Sequence, residues 1–416
     1  MQINLTRTRV FTIVLFSFLI AISGWMFIKK DSNFDMSKQR LQSIQHVRAQ
    51  IRDQISPFIK KNEVTPHVYF EKFGAFEKTD VQYTFNPTLQ NQANKLLRQY
   101  KPDYASIVAI DAKTGRVLAL ANYLKEDTTP GNLAIKATFP AASIFKIIPA
   151  SVALDKYMLE ANLLLPFNGS SHTLYRKNVM SDTINRWTRS ISLKQAFAQS
   201  VNTFFARLAL KKMQPDDLKE YAAKFQFNTP IVTDFPIDMS TAVIPNEKGY
   251  ELAEVASGFN KTNTLSPVQG AMMAAAIADD GIMRNPYIVD SLTNEAGEMV
   301  YHGESVELAR ALTPEGAEKM RELMQATIIQ GTSRKSFRPL VKNNQFVALE
   351  LGGKTGSLTG DEPKGKVDWF VGYAIHGDQK IAIAAITVNK KYWTVKSAFL
   401  AQSIIKNHFK EDVAAR

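Results

Sequence analysis

The chain contains no cysteine among its 416 residues. Disulfides, thiolate metal sites and a cysteine nucleophile are therefore excluded, and the absence suits an oxidising, extracytoplasmic compartment. Histidine is scarce as well. His46, His67, His172, His302, His376 and His408 show no ligand spacing, and none is paired four residues apart. Each reads as a surface or boundary residue, and neither a metal nor a cofactor is expected. Long basic blocks interleaved with aromatics are also missing, because the net charge of +12 is spread along the chain. Such a balance favours an anionic membrane face or an acidic wall polymer, and no nucleic-acid partner is expected. Apolar residues are plentiful: 45% hydrophobic against 22% charged is the composition of an ordinary globular protein, long enough for two or three domains.

One apolar run stands apart. Val10 to Ile28 is uncharged over 19 residues, close to the roughly 20 that a helix needs to cross a bilayer. Arg7 and Arg9 precede it and Lys29 and Lys30 follow, so flanking charge decides orientation poorly. A cleaved signal peptide with Ala21-Ile22-Ser23 as its small-residue site is the rival reading. Because Trp25 to Ile28 continue the apolar run past that point, an uncleaved single-pass anchor is expected. From Met36 to Ile59 the residues Leu41, Ile44, Val47, Ile51 and Ile55 recur at three and four. This predicts an amphipathic helix with Pro57 near its end, serving as a stalk off the bilayer or as one half of a helix pair. Residues 60 to 82 read as a linker. The expected organisation is an anchor over 1–30, a membrane-proximal helix and linker over 31–82, and a globular domain over 83–416.

In the globular part Asn86-Pro87 opens a capped helix. Ala105 to Asp111 and Arg116 to Asn122 read as strands joined by the turn Ala112-Lys-Thr-Gly115. A helix around Ser143 follows, then a long polar connection through Asn168 to Ser190 and a second helix from Leu193 to Leu210. Helical patterns recur at Leu252–Gly258, Pro267–Ala278 and Pro314–Ile329. Val367–Ile375 and Lys380–Asn389 form a late hairpin, and Val395–Phe409 a last helix. The expected class is α+β: a mixed, mainly antiparallel sheet flanked by helices, with a helical subdomain.

The candidate chemistry begins in Phe139-Pro-Ala-Ala-Ser-Ile-Phe-Lys146. On a helix opening here, Ser143 sits in the first turn with Lys146 beside it on the same face. The Ser143 N–H points out of the helix end, where an oxyanion is welcome. Lys146 lies among Ile144, Phe145, Ile147 and Ile148, where desolvation disfavours an ammonium and favours a base. A hydroxyl beside such an amine is one form of activated nucleophile. Pro149, three residues on, is expected to kink the helix. The spacing alone is weak, since a helix cap with a surface Lys also produces it and Ser403/Lys406 repeats it. Two further elements follow in order: Ser200-Val201-Asn202, inside the second helix pattern, and Gly352-Gly-Lys-Thr-Gly-Ser357. A second Lys-Thr-Gly at Lys113 precedes Ser143 and needs no more than a turn to explain it.

With these three motifs in this order the chain resembles the penicillin-binding protein transpeptidase domain. Thr84-Phe-Asn-Pro-Thr-Leu-Gln90, Ile110-Asp-Ala-Lys-Thr-Gly-Arg-Val-Leu-Ala119, Leu265-Ser-Pro-Val-Gln-Gly-Ala-Met272, Ile277-Ala-Asp-Asp-Gly-Ile282, Gly331-Thr332 and Asp368-Trp-Phe-Val-Gly-Tyr-Ala374 extend the likeness over roughly residues 83 to 412. The resemblance implies that Ser143 attacks the D-Ala–D-Ala carbonyl of a peptidoglycan stem peptide and that Lys146 takes its proton. It implies that Ser200 relays a proton to the leaving amine and Asn202 holds the substrate amide. Lys354 would supply positive potential, Thr355 would bind the terminal carboxylate, and Gly356 would let substrate lie against an edge strand. The N–H groups of Ser143 and Ser357 would form the oxyanion hole.

Stem peptides, β-lactams as covalent inhibitors, the cytoplasmic membrane and a membrane glycan polymerase are the implied partners, with the catalytic domain facing the periplasm or cell exterior. The region before the domain is short for a division or elongation transpeptidase, and without a glycosyltransferase domain a bifunctional synthase is not expected. The rivals are a D,D-carboxypeptidase or endopeptidase, an oxacillinase-like β-lactamase, a β-lactam sensor, and a scaffold with an idle site. Asn202 argues against the β-lactamase, and Phe225-Gln-Phe-Asn228 is a poor copy of its next motif. A sensor needs a cytosolic output domain, for which nine residues before the span leave no room.

Overall fold

The structure is a computed structural model that describes residues 39–72, 74–126 and 130–410. The apolar run Val10–Ile28 lies outside them, and among the described residues no helix is long and apolar enough to cross a membrane. In chain order, α1 (residues 39–60) leads to the hairpin β1 (His67–Lys72) and β2 (Ala75–Tyr83), helix α2 (Pro87–Tyr100), and the hairpin β3 (Tyr104–Asp111) and β4 (Val117–Leu124). The helical middle comprises α3 (Ile147–Ser151), β5 (Leu164–Phe167), α4 (Arg176–Met180), β6 (Arg189–Ser192), α5 (Leu193–Ala198), α6 (Asn202–Lys212), α7 (Pro215–Lys224), α8 (Tyr250–Ser257) and α9 (Pro267–Ala278). Short strands β7 (Ile282–Arg284), β8 (Val289–Asn294), β9 (Met299–His302) and β10 (Glu307–Arg310) precede α10 (Pro314–Ile329) and α11 (Arg334–Val341). Three long strands, β11 (Glu350–Asp361), β12 (Lys364–His376) and β13 (Gln379–Asn389), are followed by α12 (Ser397–His408).

The central sheet runs β11-β12-β13-β3-β4. It is antiparallel at every pair rather than mixed: short hairpins require this of β11-β12, β12-β13 and β3-β4, and β13 lies antiparallel to the sequence-distant β3. Its inner strands β12, β13 and β3 are buried on both faces, which is why they read as continuous apolar runs instead of alternating ones. Successive residues nevertheless part company: Val108, Val371, Ala384 and Ile386 join one core with α9, whose twelve residues are all buried. Ile107, Ala109, Ile383 and Ala385 join another with Leu89 and Leu97 of α2 and Leu400 and Ile404 of α12. Strand β11 is an edge strand, with one side left free of a strand partner.

Two expectations for the membrane-proximal region change. Ile51, Ile55 and Ile59 of α1 are buried in the main core, so the periodic stripe is laid against the globular body instead of standing as a free stalk. Arg48, fully buried on the same helix, donates to the Glu304 carbonyl at 2.6 Å and lies 5.3 Å from the Tyr287 ring centroid. Its charge opposes the effect of burial on Asp234, whose carboxyl burial pushes up to about 6 while it accepts the N–H groups of Ile288 and Val289. Residues 60–82 are not an irregular linker either. They supply β1 and β2, and β2 pairs with β8 in a four-stranded sheet β1-β2-β8-β9.

Candidate active site

The segment that carries Ser143 changes winding along its length. Ala142–Lys146 is a 3-10 turn, Ile147–Ser151 is α-helical, and Val152–Lys156 is a wide π turn closed by the Tyr157 N–H on the Val152 carbonyl at 3.1 Å. Pro149, which has no N–H to donate, sits within the α-helical part, so the chain accommodates it by changing pitch on either side. Ser143 is half-buried and Lys146 is fully buried.

The Lys146 amine lies 2.8 Å from Ser143 Oγ, 2.7 Å from Asn202 Oδ1 and 2.5 Å from the Ser257 carbonyl. Burial, and secondarily the charge of Lys354, hold its pKa well below that of an ordinary lysine. As an ammonium Lys146 donates to Ser143 Oγ; in its neutral form the hydrogen count reverses that bond. A neutral amine has two N–H groups and one lone pair. The Ser257 carbonyl can only accept. Asn202 presents its oxygen, since its Nδ2 is spent on the His172 carbonyl at 2.9 Å. Both N–H groups are thereby committed to carbonyl oxygens, and the lone pair is left for the Ser143 hydroxyl proton.

Ser200 is where sequence and structure part. The pattern from Leu193 to Leu210 predicts one helix with Ser-Val-Asn inside it, whereas α5 ends at Ala198 and α6 begins at Asn202. Between them Ser200 adopts φ +58°, a left-handed conformation that costs a non-glycine residue about 1–2 kcal/mol. The break brings Ser200 Oγ within 3.0 Å of Lys354 Nζ. Asn202, as the first residue of α6, has its free N–H satisfied by the Ser171 carbonyl at 2.7 Å. The polar connection before α5 is thus tied to the site by two hydrogen bonds.

Strand β11 supplies the opposite wall. Lys354 is fully buried, also donates to the Thr355 carbonyl at 2.9 Å, and is pushed down by burial to about 7. Thr355 Oγ1 lies 2.5 Å from Thr332 Oγ1. A Cβ on Gly356 would stand 3.2 Å from the Ser143 nitrogen and 3.1 Å from that of Ile144, so the strand passes directly against the Ser143 turn. Ser357 is exposed in the same cavity, which Ser143, Ser200, Asn202, Thr355 and Gly356 also line. All eight residues singled out from the sequence therefore converge: six line the cleft, and Lys146 and Lys354 lie beneath it. The dismissed copies behave as expected. Lys113 and Thr114 donate their N–H groups to Asp111 Oδ1 in a turn, and Ser403 Oγ bonds the Phe399 carbonyl within α12.

Sequence reasoning missed Thr332 and Lys335 as site residues and set His172 aside, although all three line the cleft. Gly331-Thr332 carried a usable signal; Lys335 carried none. The His172 imidazole is held below its ordinary range by burial and by the nearby Lys146 and Lys354. Among the described residues no cluster of three or more His, Asp or Glu could hold a metal.

A nucleophile beside a buried amine, a second Ser–Lys pair across the cleft, and an edge strand beside the nucleophile's N–H form a set suited to acyl transfer. Comparison with known proteins agrees. The family model described as penicillin binding protein transpeptidase domain matches residues 105–410. The curated peptidoglycan D,D-transpeptidase PbpA of Mycolicibacterium smegmatis is 27% identical over 345 residues, covering 74% of this chain and 67% of the relative. Penicillin-binding protein A from M. tuberculosis, solved as an imipenem acyl-enzyme complex, superposes with a TM-score of 0.65 at 23% identity, covering 81% of this chain and 80% of that one. Penicillin-binding protein 2B from Streptococcus pneumoniae gives 0.62 at 19% identity, covering 82% and 61%.

Proposed function

Since the chain belongs to the penicillin-binding protein transpeptidase family, we propose that it is a peptidoglycan D,D-transpeptidase that works through a Ser143 ester and is acylated by β-lactams. The observation that carries this reading is the buried Lys146 amine 2.8 Å from Ser143 Oγ, with Asn202 Oδ1 and the Ser257 carbonyl also in reach, so that its neutral form can place both N–H groups on those carbonyls and keep its lone pair for the Ser143 proton. Ser143 Oγ attacks the carbonyl carbon of the D-Ala–D-Ala bond as its proton passes to Lys146. The oxyanion is taken by the N–H groups of Ser143 and Ser357. The C–N bond then breaks, the leaving D-Ala amine receives a proton through Ser200, and the acyl group remains on Ser143. An amine of a second stem peptide attacks that ester and completes the cross-link. In a β-lactam the cleaved amide is within a ring, so the leaving group stays attached.

Asp368 is the carboxylate among the residues lining the cleft, and it is engaged by the Ser397 N–H at 2.8 Å and by Lys396 at 3.4 Å. It is poorly placed to activate a water, which favours a long-lived acyl-enzyme over rapid hydrolysis. The run Val10–Ile28 anchors the chain in the cytoplasmic membrane, with the catalytic domain outside, and a membrane glycan polymerase would supply its glycan strands.

The test is intact-mass spectrometry of the full chain in detergent with benzylpenicillin, followed over hours, with peptide mapping. The expected result is a stable adduct of one drug mass on the peptide bearing Ser143. Rapid loss of the adduct with hydrolysis of free drug would replace this reading with a β-lactamase, and no adduct would leave the idle scaffold.

The pH dependence has a definite sign. Acylation needs Lys146 neutral and a protonated cation at Lys354. Burial lowers the Lys354 pKa, so its charge is present below about 7 and lost above it. The second-order acylation constant, which reports the free enzyme, should therefore rise with pH as the pair first loses a proton and fall past neutrality as it loses the second. Lys354→Arg keeps the charge and is expected to flatten the alkaline fall. An unchanged alkaline limb in that variant would remove Lys354 as its origin.

A further inference from the structure

We propose that Lys335 is the cation that pairs with the terminal carboxylate of the donor peptide, and so sets the preference of the site for substrates ending in a free acid. The inference rests on the transpeptidase reading above and adds a residue that none of the three motifs contains. The hydroxyls of Thr332 and Thr355, 2.5 Å apart, satisfy one another. Two hydroxyls can turn outward together and donate to one anion. They bring no charge, however, and the carboxylate must leave water to reach them.

Lys354 does not make that contact. Its ammonium is fully buried and directed at Ser200 Oγ and the Thr355 carbonyl. Two other lysines line the cleft. Lys396 is already engaged, lying 3.4 Å from Asp368 Oδ1 and 3.4 Å from the Trp393 ring centroid. Lys335 is exposed, three residues from Thr332, and has no hydrogen bond or ion pair among the described residues. An ammonium on a long flexible stem can follow an anion into a cleft without a fixed partner in the free state.

The test compares benzylpenicillin with its methyl ester as acylating agents for the full chain and for Lys335→Met, by intact mass. For benzylpenicillin the variant should lose about tenfold in the second-order constant, in the binding component, and lose most of the salt sensitivity of that constant. For the methyl ester the variant and the parent should agree within about twofold. Lys335→Arg should restore the acid preference. An unaltered melting temperature separates this from misfolding, since the side chain is exposed. Equal losses on both probes would make Lys335 a structural residue, and no loss on either would remove it from substrate binding; both overturn the inference. If the parent protein takes neither probe, the transpeptidase reading falls and the inference with it.

Discussion

Replacing Lys146 with Met is expected to lower the second-order constant for benzylpenicillin acylation by about 10²- to 10⁴-fold, the range of a positioned general base. Met matches the length of the lysine stem and fills the same apolar pocket, so the loss reports the amine. The stability of the variant has its own sign. Lys146 is fully buried and its folded pKa lies well below the unfolded value. Below the unfolded lysine range the unfolded chain therefore holds a proton that the folded protein lacks. The parent loses stability as pH falls through that window, down to the folded pKa, and the Met variant does not. The carbonyls of Asn202 and Ser257 lose a donor in the variant, about 1–3 kcal/mol each, but that part does not depend on pH. Thermal melts at pH 9 and pH 6.5 should thus show the variant gaining on the parent as pH falls. An acylation constant within fivefold of the parent would end the assignment of Lys146 as the base; a pH-independent difference in melting temperature would end the account of its burial.

Much of the site was legible because its residue types are tied to short spacings, while their placement was legible only in part. Ser143 and Lys146 meet because they are three apart in one helical turn, which a sequence shows. Ser200 meets Lys354 because the helix breaks at Ser200, and the apolar period runs through 193–210 without interruption, so nothing local marks the break. Strand β11 was obscured by Gly352-Gly353, ordinarily a turn signal. Glycine is needed there because a Cβ would collide with the rings of Tyr373 and Phe370 on β12, both at 2.4 Å, a reason that exists only once the strands are paired. The stripe on α1 was read correctly as a helix, but an amphipathic face does not say which surface covers it. Likewise β1 and β2 find their sheet by pairing β2 with β8, where Val81 meets Leu292, far beyond the reach of local pattern. Hairpins, caps such as Asn86, whose Oδ1 accepts the Leu89 N–H at 3.0 Å, and the buried runs of the central sheet were readable because their causes are local.

Gly258→Ala is expected to damage both stability and acylation, although it adds a single carbon. Gly258 ends α8 at φ +64°, immediately after Ser257, whose carbonyl holds the Lys146 amine. A Cβ there would lie 2.0 Å from the Ala142 carbonyl oxygen and 3.1 Å from the Ser143 Cα. Both obstacles are backbone, so no side chain can swing aside and the end of α8 must move away from the nucleophile's turn. The left-handed conformation costs about 1–2 kcal/mol and the overpacking about 1–3 kcal/mol. A displacement of the order of 1 Å at the reacting groups lowers the rate by about 10²-fold. Gly377 provides the control. It has φ +58° in the β12–β13 turn, with nothing within 4 Å of its would-be Cβ. Gly377→Ala should show only the conformational cost and acylate normally. Melting curves and acylation rates for the two variants decide the matter. Indistinguishable behaviour would mean that α8 does not press on the Ser143 turn, and a Gly258→Ala protein that melts early yet acylates at the parent rate would separate that contact from catalysis.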